Sequence, residues 1–128
     1  MNRIERSPLG QWQEFLRARE LAYQFSPDTG RAVFYPRVVC PYGGTAPLEW
    51  RISKGQGTVY SISMVHPVKG DPYPVALIDL DEGFRMMSTV IGAAGEPGEI
   101  GRRVRVSWRD ADAETNVPAP VFVWEEGQ

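Results

Sequence analysis

Cysteine and histidine are nearly missing from this chain of 128 residues, with one of each. A single cysteine excludes an internal disulfide and gives no reason to place the chain in an oxidising compartment. A single histidine, His66, leaves the usual general base represented once and rules out a histidine-rich metal cluster. No apolar run approaches the roughly 20 residues that span a bilayer as a helix, so no membrane association is expected. The opening MNRIERSPLG has no apolar signal core, and a cytoplasmic location is the expectation. Excess charge of either sign is also lacking. With a net charge of −2 and a pI near 5.4, the chain carries no global field that gathers nucleic acid. No Gly-rich phosphate loop with a lysine occurs.

What is present is β-sheet patterning. The stretch Gly55–Gly83 opens on a Gly-x-Gly break and then alternates. Tyr60, Ile62, Met64 and His66 are expected on one face, with Val59, Ser61, Ser63 and Val65 on the other. The loop VKGDPYP turns the chain. VALIDLD follows with Ala76, Ile78 and Leu80 on one side, and DEG forms a second tight turn. FRMMSTVIG sets Phe84, Met86, Ser88 and Val90 against Arg85, Met87, Thr89 and Ile91. AAGEPGEIG is too broken by Gly and Pro for a long helix. RRVRVSWRD places Val104, Val106 and Trp108 opposite the arginines, and PVFVWEE supplies a last strand. Three meander strands, a connector and two further strands is the order of a five-stranded OB-type barrel; a split β-barrel of another type is the competing arrangement.

Ahead of the barrel, Ser7-Pro8 reads as a helix start. LGQWQEFLRARELAYQF reads as an amphipathic helix of about three to four turns, with Trp12, Phe15, Leu16 and Tyr23 on roughly one face. That stripe serves either to pack on the chain's own core or to dock on another subunit. Residues 25–47 carry two turn motifs, SPDTG and CPYGG, around short extended pieces, like two facing knuckles. In a zinc ribbon such knuckles supply four thiolates or imidazoles. Here the corresponding positions are Phe25, Asp28, Cys40 and Gly43, so zinc is not expected. The organisation expected is an N-terminal helix over 1–24, a ribbon-like hairpin over 25–47, and an OB-fold domain over 48–128. The fold class is mainly β.

No catalytic constellation emerges from the residues. His66 ends a strand just before Pro67, and its readings are a structural bond, a substrate or partner contact, or a base acting alone in a small acyl-CoA hydrolase or transferase. Cys40 sits in a Pro-Gly turn with no activating neighbour in the sequence. Asp79, Asp81 and Glu82 read as paired carboxylates or as a solvated strand end and turn. A single-stranded nucleic-acid surface is the alternative function, with Arg85, Arg103, Arg105 and Arg109 as its charge and Tyr60 and Trp108 as stacking platforms. Against it, the alternation turns Trp108 inward.

The aromatic N-terminal helix, FYPRVVCPYGG, GQGTVYSISMVHP, PYPVALIDLDEG and IGRRVRVSW, taken in that order, resemble the rubredoxin-like zinc-ribbon plus OB-fold family of acyl-CoA-associated proteins, long catalogued as a domain of unknown function. The likeness spans about residues 10–124. It implies a non-catalytic companion in a hetero-oligomer. Its partner would be a thiolase-like enzyme (a thiolase, an aldolase or a polyketide-pathway acyltransferase), in some cases paired with a hot-dog-fold hydratase. Such companions stabilise the partner and help shape a channel for acyl-CoA or its pantetheine arm. On that basis Trp12, Phe15, Leu16, Tyr35 and Arg37 are the expected partner contacts. His66, Tyr73 and Arg105 are the expected contacts to substrate or CoA. The family's zinc, held by two Cys-x-x-Cys knuckles, has only Cys40 left of its ligands here.

Overall fold

A computed structural model describes residues 7–37, 41–44, 47–111 and 117–125. Its first element is a helix, α1, over Pro8–Arg17, capped by the Ser7 hydroxyl, which accepts the Gly10 N–H at 3.0 Å. The helix is shorter than the sequence pattern suggests. Ala18 closes it, and Arg19 takes a left-handed φ of 58°. The Glu20 N–H then reaches the Phe15 carbonyl and the Arg19 N–H the Leu16 carbonyl, the paired bonds of a Schellman stop. Glycine usually occupies that left-handed position, and an arginine there conceals the stop. Tyr23, expected on the helix, lies instead in a strand.

Three short strands follow: β1 (Ala22–Ser26), β2 (Arg31–Val33) and β3 (Glu49–Ile52), arranged as a small antiparallel sheet in the order β2-β1-β3. The SPDTG turn joins the first two, with the Gly30 N–H on the Ser26 carbonyl at 2.8 Å. Glu49–Ile52, expected to lead the barrel, pairs with β1 instead, Ala22 opposite Ile52 and Phe25 opposite Glu49. Ser53 then bonds the Leu21 carbonyl and the chain leaves the small sheet for the barrel. Val38, Val39 and Cys40 of the RVVC segment lie outside the described residues.

The barrel strands are β4 (Gln56–Val65), β5 (Tyr73–Leu80), β6 (Arg85–Ser88), β7 (Val90–Ile91), β8 (Arg103–Arg109) and β9 (Ala119–Trp124). They form one sheet in the order β6-β5-β4-β8-β9-β7, with β7 parallel to β9 and the other neighbours antiparallel. Only Thr89 separates β6 from β7, so the two ends of that order are halves of one bent strand. The first half pairs with β5 and the second with β9, which closes the sheet on itself as the OB-type barrel. The parallel closing pair is what separates this topology from an up-and-down meander.

Core-facing residues follow the alternation in β5, β6 and β8, where Ala76, Ile78, Leu80, Met86 and Val104 are buried. In β4 the alternation changes phase. Val59 pairs with Ile78 and Ser61 with Leu77, leaving Tyr60 as the extra residue of a β-bulge. Val59 and, past the bulge, Ile62 therefore both pack on the core, while Tyr60 is half exposed. Leu21 and Tyr23 of the small sheet belong to the same core cluster. The Phe84 ring stacks between Tyr23 (4.8 Å) and Phe34 (4.9 Å), so one aromatic stack ties the two sheets together.

The Gly-rich connector contains a single 3-10 turn, Pro97–Glu99. Glu99 is buried there, and its carboxylate accepts the backbone N–H groups of Ala94 (3.0 Å) and Glu96 (2.8 Å). Burial alone pushes its pKa upward, but the N–H donors of Ala94, Glu96 and Gly95 together outweigh it and hold the carboxyl below its usual range. A folded-state pKa below the unfolded value stabilises the protein at pH above the ordinary value of 4.5. That stabilisation disappears as pH falls through the folded-state value. Glu99→Gln is therefore expected to lower stability at pH 7 by about 1–3 kcal/mol and to flatten its decline on acidification. Urea denaturation of both proteins from pH 7 down to 3 checks this; parallel curves of equal midpoint would refute it.

Candidate functional site

The helix lies on the small sheet through its aromatic stripe. Trp12 donates its indole N–H to the Ala22 carbonyl (3.1 Å) and meets the Phe34 ring edge-on at 5.8 Å. Phe15 packs on Trp50 (5.2 Å), whose own indole N–H reaches Gln11 Oε1 at 2.6 Å. Leu16 is buried within the chain. It nevertheless borders a hollow beside the helix, and Trp12 and Phe15 are each partly exposed. The stripe serves this chain's own packing because β1 and β3 present Ala22 and Trp50 directly beneath it.

Past β2 the segment 34–37 is fixed by Gln24. This buried amide donates to the Arg37 carbonyl (2.9 Å) and accepts the Arg37 N–H (2.7 Å), as a strand neighbour would. Between these anchors Tyr35 adopts a left-handed φ of 62° with its ring more than half exposed. A residue preceding proline normally avoids that region, and non-glycine residues held there concentrate at functional sites.

The exposed Tyr35 ring borders an apolar hollow of about 440 Å³. It lies where helix, small sheet and barrel meet, over the seam at which β6 and β9 diverge. Trp12, Phe34, Tyr35, Tyr73, Met87 and Pro120 line it, and Arg109 stands as its single charged residue. Ser88 bridges the seam by donating its hydroxyl to the Pro120 carbonyl (3.0 Å). A neighbouring hollow of about 410 Å³ shares Trp12, Arg109, Ala119 and Pro120, so the two run on as one groove. Four of the expected partner and substrate contacts, Trp12, Leu16, Tyr35 and Tyr73, come together along the two hollows. Arg37, His66 and Arg105 are exposed and line neither hollow. Met87 and Arg109 were not assigned to such a site; an apolar side chain on the outward phase of β6 was the sequence feature that marked Met87.

The acids Asp79, Asp81 and Glu82 and two of the arginines have local structural partners. Arg85 binds Asp79 (2.6 Å) and stacks on Tyr60 (3.5 Å). Arg103 grips both oxygens of Asp81 at 2.7 Å, which holds that carboxyl below its usual pKa range. Glu82 accepts the Ser53 hydroxyl (2.6 Å) and the Lys54 N–H (2.9 Å). The three acids are thus turn and strand braces. Two of the four arginines proposed for nucleic acid are neutralised, one face of the half-exposed Tyr60 ring is occupied by Arg85, and Trp108 packs on the core. At the knuckle positions, Phe25 lies under the Arg51 guanidinium (3.7 Å), Asp28 is exposed in its turn, and Gly43 has no side chain. Phe25 and Gly43 offer no ligand atom, Cys40 lies outside the described residues, and no group of three potential metal ligands occurs among the described residues. No helix among the described residues is long and apolar enough to cross a membrane.

Residues 50–109 match the family model for the C-terminal OB-fold domain of ChsH2, which defines the class of the barrel. Along most of its length the chain is similar to the chain in the solved structure of the Ltp2-ChsH2(DUF35) aldolase, with a TM-score of 0.77, 30% identity, and coverage of 97% of this chain and 96% of that one. A DUF35 domain-containing scaffold protein of Methanothermobacter thermautotrophicus is 30% identical over 89 residues, covering 64% of this chain and 67% of that protein. The chain belongs to the DUF35 family. A probable enoyl-CoA hydratase alpha subunit of Thermomonospora curvata is 32% identical over 84% of this chain. This chain spans only 35% of that protein's length, and 22% of a 3-oxo-4,17-pregnadiene-20-carboxyl-CoA hydratase alpha subunit of Mycobacterium tuberculosis.

Proposed function

We infer that this protein is an accessory subunit of an acyl-CoA enzyme, binding and stabilising a thiolase-like partner in a hetero-oligomer. The observation that carries this reading is the nearly end-to-end likeness to the DUF35 chain of an aldolase complex. The scaffold name of the archaeal relative agrees with a companion that performs no chemistry itself. The names of relatives divide between hydratase and aldolase. The aldolase likeness carries more weight for the partner, because it covers both chains almost fully, while the hydratase subunits contain much more polypeptide than is matched here. The reading includes a metal-free small sheet, since packing around Phe84 and Trp50 supplies the cohesion that zinc supplies in a ribbon. It also includes a cytoplasmic location and a role in shaping the partner's acyl-CoA channel.

The test is a tagged purification from the native host, with co-purifying proteins identified by mass spectrometry and their ratio measured. A thiolase-like protein at stoichiometric yield is the expected result. A chain that emerges alone, from cells that express it at its natural level, would count against the accessory role.

A further inference from the structure

The groove beside Tyr35 has the composition of an interface centre. Tyr35 and Met87 are 55% and 60% exposed and Tyr73 is 48% exposed, all around one hollow, with Trp12 forming part of its wall. Apolar side chains scattered singly on a surface are ordinary, but a contiguous group around a concavity marks a binding surface. Trp, Tyr, Met and Arg are also the residue types enriched where binding energy concentrates. The two hollows, of about 440 and 410 Å³, share Trp12, Arg109, Ala119 and Pro120 and open to solvent, which leaves room for several side chains of a polypeptide. Arg109 stands where they join and makes no ion pair among the described residues. Its neighbour Asp110 is engaged by Arg19 at 3.2 Å.

The geometry points to this groove as the docking site for an extended segment of the partner subunit. That segment seats an apolar side chain among Tyr35, Tyr73 and Met87 and sets a carboxylate against Arg109. The inference rests on the accessory-subunit reading and locates its interface at the junction of the two sheets, with Trp12 and Leu16 of the helix stripe in the groove wall. Tyr35 explains the cost of its backbone conformation in this arrangement, because φ of 62° aims the chain so that the ring borders the groove.

The test uses the full chain and the thiolase-like protein that co-purifies with it, each purified separately, with Kd measured by calorimetry. Met87→Glu is expected to weaken binding by roughly 30-fold or more and Arg109→Glu by about 10-fold. Ile52→Ser, exposed on β3 outside the groove, is expected to stay within about twofold of the parent. Unchanged melting temperatures check that each variant is folded. If the complex forms but Met87→Glu and Arg109→Glu bind as the parent does, the docking assignment falls and the accessory reading stands. Parent-like affinity with a raised KM for acyl-CoA would give the groove to the substrate's acyl chain and also overturn it. Failure of the unmodified chain to bind any such partner removes both.

Discussion

Phe84→Ala is expected to destabilise the protein by about 3–5 kcal/mol, in the range for removing a fully packed phenylalanine. Phe84 is buried where the barrel's third strand begins, and its ring is the middle of the Tyr23–Phe84–Phe34 stack. The backbone bond from the Leu80 N–H to the Phe84 carbonyl (2.8 Å) survives the substitution, so the hairpin itself is retained. What is lost is the contact between sheets, and the surrounding rings cannot collapse into the space without pulling β1 off the barrel. At this chain length the loss corresponds to a melting temperature lower by roughly 10–20 °C. Urea denaturation followed by circular dichroism and by tryptophan fluorescence provides the measurement. A cost below about 1 kcal/mol would show that the aromatic stack does not join the two sheets energetically. The effect should reach the groove too, because Phe34 forms part of its wall and precedes Tyr35 in the chain.

The barrel is legible in the sequence because β5 and β8, the two strands that flank β4, obey a strict period of two. Val104, Val106 and Trp108 alternate with Arg103, Arg105 and Arg109, and Ala76, Ile78 and Leu80 do so in β5. Burial of one face imposes that period. The pattern misleads where backbone geometry breaks the period without a glycine or proline to mark it. The bulge at Tyr60 is one such place, and the left-handed stop at Arg19 is another. β3 is misplaced for a different reason: EWRIS fits either sheet, and only the Ser53–Leu21 bond and pairing with β1 decide between them.

The groove was legible only in fragments. Trp12, Tyr35, Tyr73, Met87, Arg109 and Pro120 come from the helix, the small sheet's connector and four barrel strands. No local period relates positions so far apart. Residue chemistry alone favours His66 and Arg105, and both turn out to be exposed outside the groove. The arginine pattern likewise suggests a free basic face, until the fold sets Asp79 beside Arg85 and Asp81 beside Arg103.

Gly57→Ala is expected to cost about 3 kcal/mol, comparable with severe overpacking of a core position, although it adds a single methyl group. β4 runs between β5 and β8, and Gly57 pairs with Leu80 on one side and Val104 on the other. A Cβ at this position would lie 2.6 Å from the Asp79 carbonyl oxygen and 3.0 Å from Ile78 Cγ2. The first of these is backbone within the ladder, and it cannot retreat without opening the β4–β5 pairing beside the Asp79–Arg85 brace. Gly55 satisfies a separate requirement two residues earlier. Its φ is +75°, and its carbonyl accepts the Val106 N–H at 2.7 Å as the chain enters the barrel. Gly55 is thus constrained on backbone angle and on space, since a Cβ there would collide with the Val106 side chain, and Gly57 is constrained on space. A denaturation midpoint for Gly57→Ala equal to the parent's, at unchanged m-value, would mean that β5 yields at Asp79. The close approach of β4 and β5 would then be a consequence of barrel closure, with the glycine no condition for it.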